Sequence, residues 1–103
     1  MSLVDRLQGL VDAGQDGAHI RVSLAQASMG SGNARVAIDH LEQALKMEPN
    51  YTAAWKAYGR ALAMERRDGE AREAYRRGIE VAEATGDRQA VREMQVFLRR
   101  LNK

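Results

Sequence analysis

The sequence predicts an all-α chain of about six helices, built from paired helices stacked side by side with a further helix at each end. Two observations carry this. The sequence overlays itself when slid by 34 residues, and its apolar residues recur at three- and four-residue spacing. No segment alternates with a period of two, so no strand is expected.

The first segment, within 1–14, is amphipathic through Leu3, Val4, Leu7, Leu10 and Val11, and stops at Gly14-Gln15-Asp16-Gly17. One copy of the repeat then spans 18–51 and a second 52–85. Under the 34-residue shift Leu24-Ala25 falls on Tyr58-Gly59, Ala27 on Ala61 and Ala37 on Ala71. Leu41 falls on Tyr75, Ala44 on Gly78 and Leu45 on Ile79. Large apolar meets large, and small meets small. In the first copy the stripes are Ile20, Leu24, Ala27 and then Ala37, Leu41, Ala44, Leu45. In the second they are Trp55, Tyr58, Leu62 and then Ala71, Ala74, Tyr75, Gly78, Ile79, Ala82. A last helix within 87–102 shows Val91, Met94, Leu98 and Leu101 on one face, with Arg88, Arg92, Gln95 and Arg99 opposite. End helices with one polar face are what a short stack needs to remain soluble.

The breaks have helix-end chemistry. Asn33, Asn50, Asp68 and Asp87 stand where a short polar side chain accepts the first free N–H groups. Pro49 ends the helix before it, and Gly86 suits the left-handed residue that closes a helix ending near Thr85. Gly59 and Gly78 fall inside helices, where glycine costs about 1 kcal/mol relative to alanine. Close approach of the neighbouring helix is the expected compensation.

These residues resemble the tetratricopeptide repeat family. The second copy reads Trp55-x-x-Tyr58-Gly59-x-x-Leu62, then Ala71-x-x-x-Tyr75; the first reads Arg21-x-x-Leu24-Ala25-x-x-Ser28, then Ala37-x-x-x-Leu41 and Pro49. Arg21 and Ser28 stand in place of aromatics, and Glu83 stands where a proline would be. Gly32-Asn33 suits the family's turn within a hairpin. Arg66-Arg67 does not, which suggests a one-residue shift of the helix start at Asp68. The resemblance implies an α-α superhelix whose first helices line a concave side that takes a peptide segment of another protein. The clamp that some members use on the C-terminal carboxylate of heat-shock chaperones is not reproduced: Val22, Gln26 and Ala57 occupy its places.

Composition excludes several chemistries. The chain has 103 residues, 45% hydrophobic and 29% charged, which fits one globular domain. It has no cysteine, hence no disulfide, zinc–thiolate site or thiol nucleophile. The two histidines, His19 and His40, fall at non-equivalent repeat positions, and no His spacing suits a zinc site. Gly14-Gln15-Asp16-Gly17 and Gly30-Ser31-Gly32 join helices rather than cradle phosphate, and Glu70 and Glu73 lie on a charged face beside Arg72, Arg76 and Arg77. No catalytic residue, metal site or cofactor is expected, and the function expected is non-enzymatic. Residues 1–50 carry a net charge of −2 and residues 51–103 one of +4, with acids interleaved throughout, so nucleic acid is not the expected partner. No apolar run suits a membrane span and no export signal is visible, which points to a cytoplasmic protein.

Removing the packing residues from each first helix leaves His19, Val22, Ser23, Gln26 and Met29 and, 34 residues later, Ala53, Lys56, Ala57, Arg60 and Ala63. These are the expected groove. Lys56 and Arg60 repel one turn apart, so they gain from an anionic partner such as an acidic side chain or a free C-terminal carboxylate. Val22, Met29 and the alanines are expected to offer apolar contact. A second expectation is an assembly subunit that self-associates or docks through its terminal helices. The chain is then a monomer or a weak homodimer.

Overall fold

The computed structural model describes residues 2–103. Six helices follow in order: α1 Leu3–Asp12, α2 Ala18–Gly30, α3 Ala34–Met47, α4 Thr52–Met64, α5 Asp68–Thr85 and α6 Arg88–Leu101, with no strand among the described residues. α2 packs on α3, α4 on α5 and α5 on α6, while α3 joins the two hairpins by packing on α4. α2, α4 and α6 also touch in turn and form one face of the molecule, called here the inner face. Among the described residues α1 touches only α2. The chain is therefore two hairpins with half a hairpin at each end.

Burial follows the repeat. Ala37 and Ala71, Leu41 and Tyr75, and Ala44 and Gly78 are buried at equivalent positions, with Leu24, Leu62 and Met94 fully enclosed. More than half of the described core residues are alanine, which brings helix axes close. The two interior glycines show how close. A Cβ on Gly59 would lie 2.6 Å from Cδ1 and Cζ of Tyr75, and one on Gly78 would lie 2.5 Å from Sδ of Met94 and 2.8 Å from Cβ of Trp55. The close approach is that of side chains from neighbouring helices onto bare backbone.

The helix ends partly differ from the sequence reading. Asp87 caps α6 by accepting from the Ala90 N–H at 3.1 Å, and Gly86 closes α5 at φ 78°. Asn33 holds the N-cap position of α3 without a side-chain bond. Tyr51 rather than Asn50 precedes α4, and Asp68 is the first helical residue of α5 rather than its cap. Ser2 and Asp5 form a capping box on α1. The expected shift at Asp68 is also corrected. Arg66 takes a left-handed φ of 61°, as Gly32 does at 78°, and the bonds match: Gly32 N–H to Met29 O and Arg66 N–H to Ala63 O, both 3.0 Å. The turn keeps its 34-residue register because an arginine accepts a glycine's conformation.

Two departures from the family pattern have structural answers. Arg21, at the tryptophan position, reaches Asp16 with Nη2 at 2.7 Å and Nε at 2.9 Å, while its Nη1 lies 3.1 Å from Nδ1 of His40. Arginine only donates, so His40 Nδ1 accepts and the ring is neutral. Without a proline at Glu83, α5 continues four residues beyond the point equivalent to the end of α3.

Candidate peptide-binding groove

α4 lies in the middle of the inner face and sets its chemistry. Lys56 and Arg60 sit one turn apart, as their spacing requires, but their surroundings differ. Lys56 Nζ lies 3.4 Å from Oε1 of Glu93 on α6, and both side chains keep between a third and two fifths of their exposure. Among the described residues Arg60 is exposed and has no carboxylate within ion-pair distance. The repelling pair of the sequence reading is thus one engaged lysine and one open arginine.

The other expected groove residues divide. His19 and Gln26 are exposed, and Ser23, Ala53 and Ala63 are half-buried. Val22, Met29 and Ala57 are only 5%, 8% and 5% exposed and belong to the core. Their expected role as apolar contacts is corrected. α2 is flanked by α1, α3 and α4, and α4 by α2, α3, α5 and α6, so only a narrow strip of each is free.

The third inner helix supplies what the sequence reading missed. Lys56, Ala53 and Thr52 of α4 face Asp87, Gln89, Ala90 and Glu93 across a cleft of about 250 Å³. Thr52, Ala53 and Asp87 also border a cleft of about 700 Å³ between the α3–α4 and α5–α6 turns. A signal for α6 exists in the sequence at 36 residues rather than 34: Ala54 then falls on Ala90, Tyr58 on Met94, Leu62 on Leu98, and Ala57 on Glu93. The offset arises because α5 is four residues longer than α3 while the link after it is two residues shorter.

Tyr75 of α5 approaches the same face from behind. Its ring crosses α4 at Gly59, beside Arg60, and its centroid lies 5.6 Å from that of Phe97 on α6. Burial pushes its phenol up to about 12, and the positive charge of Arg60 opposes that rise. Arg100 places its guanidinium 5.9 Å from the Phe97 centroid. Among the described residues no cluster of three or more His, Asp or Glu is placed to hold a metal.

The comparisons with known proteins agree with this architecture. The tetratricopeptide repeat profile matches residues 22–87. A TPR repeat-containing protein of Pseudomonas aeruginosa is 34% identical over 101 residues, covering 98% of this chain and 96% of that protein. The solution structure of a Bordetella parapertussis protein superposes with a TM-score of 0.87 at 34% identity, covering 99% of this chain and 89% of the other. A crystal structure of a tetratricopeptide repeat domain protein from Salinibacter ruber does so with a TM-score of 0.78 at 25% identity, covering 84% and 97%. The chain belongs to the tetratricopeptide repeat family, whose fold is in general a non-catalytic module for protein interaction.

Proposed function

We propose that the inner face of α2, α4 and α6 binds an extended or helical segment of a protein partner, one that presents an acidic side chain or a free C-terminal carboxylate. The observation that carries this reading is Arg60, an exposed guanidinium on α4 with no carboxylate within ion-pair distance among the described residues. A guanidinium so placed receives a carboxylate in two-point fashion. The interleaved charge of α5 and α6 supports a protein rather than a nucleic-acid partner. No described helix is long and apolar enough to cross a membrane, and action in the cytoplasm is part of the proposal. The test is titration of acidic-tailed peptides into ¹⁵N-labelled protein. Shifts along α4 and α6 support the reading, and unchanged spectra at millimolar peptide refute it.

A second reading, self-association through the terminal helices, is favoured by α1. That helix buries no residue, and Leu3 and Leu10 stay 54% and 38% exposed. Sedimentation separates the two. A self-associating species dispersed by Leu10→Glu favours assembly, and a monomer that binds peptide favours the groove.

A further inference from the structure

We infer that the carboxylate of the bound segment is received at the corner formed by Arg60, Tyr75 and Phe97, not at Lys56, and that the Tyr75 hydroxyl is its second donor. This deepens the groove proposal and rests on it.

The corner is built by a deletion. Gly59 has no side chain, so the Tyr75 ring lies on the backbone of α4 at the residue next to Arg60. Tyr75 is 2% exposed and its hydroxyl makes no hydrogen bond among the described residues. No described buried side-chain oxygen lacks a partner. The unbonded hydroxyl is therefore not fully enclosed and keeps a narrow accessible edge, with a donor to offer. Phe97 closes the corner from α6, 5.6 Å from Tyr75 between centroids, and the Arg100 guanidinium lies 5.9 Å from the Phe97 centroid. One turn away the electrostatics reverse. A carboxylate arriving at Lys56 meets Glu93, already 3.4 Å from the ammonium, and like charge repels it.

The test uses the full chain and a panel of N-acetylated hexapeptides, each made with a free C-terminal carboxylate and as the amide. Acids are expected to shift the amides of Arg60, Tyr75 and Phe97 most and to bind about tenfold tighter than amides, the scale of a charge-assisted contact. Arg60→Gln should abolish that preference. Tyr75→Phe, which keeps the ring, should reduce it about threefold. Glu93→Gln, which releases Lys56, should strengthen acid binding. Arg76→Gln removes an equal charge from an exposed position on α5 and should leave the preference intact. Equal affinity of acids and amides, a preference that survives Arg60→Gln, or an equal fall with Arg76→Gln overturns the assignment while leaving the groove in place. Absence of any shift along the inner face overturns the groove reading itself.

Discussion

Replacing Gly59 with alanine sets helix propensity against packing, and the structure decides which wins. In a helix interior alanine is favoured by about 1 kcal/mol. The added methyl, however, lies 2.6 Å from two ring atoms of Tyr75, where ordinary contact is 3.4–4 Å. The ring must retreat by most of an ångström. It is 2% exposed and backed by Phe97, so it has little room to do so. Overpacking of this kind costs roughly 1–3 kcal/mol. With a walled-in ring the upper part of that range applies, and the net loss is about 1–2 kcal/mol. For a domain of this size that lowers Tm by roughly 5–10 °C. The first copy shows the remedy, because there Ala25 stands opposite Leu41. In a Tyr75→Leu background the same Gly59→Ala change should therefore stabilise by up to about 1 kcal/mol, a coupling of about 2–3 kcal/mol. Thermal and urea unfolding of the four proteins, followed by circular dichroism, measure the cycle. A higher Tm for Gly59→Ala in the parent chain refutes the argument, since it would mean that Tyr75 does not occupy the space over Gly59.

Arg66→Gly should stabilise by about 0.5–1 kcal/mol, because removing left-handed strain worth roughly 1–2 kcal/mol outweighs glycine's extra freedom in the unfolded chain; the urea midpoint checks it. Asp87→Ala should cost about 1 kcal/mol and speed amide exchange at the start of α6, whereas Asn33→Ala, which removes no cap bond, should change stability little. The His40 pKa is lowered by burial first and by Arg21 second, against weaker opposition from Asp39 and Asp16. Its folded pKa then lies below the unfolded value of about 6.5, so the unfolded chain takes the proton first and stability falls as pH drops through that value. Unfolding midpoints at pH 7.5 and pH 5.5 should show this fall, and His40→Gln should flatten it.

The fold was legible because a 34-residue shift tests size at each core position, and size is what an alanine-rich helical stack selects. Ala37 over Ala71 and Leu41 over Tyr75 read directly as shared burial. Helix ends were legible in part, and Asn33 holds its expected position without a side-chain bond. Gly86 and Asp87 read correctly, while Asn50 and Asp68 each stand one residue from the N-cap position. At Arg66 the backbone overrides preference: the hydrogen bonds of the turn hold an arginine in a glycine's conformation, and composition alone suggests a shift that does not occur.

The candidate site was less legible, for a reason set by packing. Subtracting the residues that face the hairpin partner leaves every other residue of the helix, but the inner helices also pack on one another. Val22 and Ala57 meet the subtraction rule and are nevertheless enclosed. What a partner can reach is decided by the third helix, α6, whose 36-residue offset hides it from a 34-residue comparison. Glu93 comes from that helix, and it changes the chemistry of α4 by engaging Lys56 and leaving Arg60 open. The extra turn of α5, present because Glu83 replaces a helix-ending proline, thus bears on which cation of α4 is available. Repeat proteins of this kind change specificity in two ways: by the residue at a groove position, and by the length of the helix that sets where the next groove position falls.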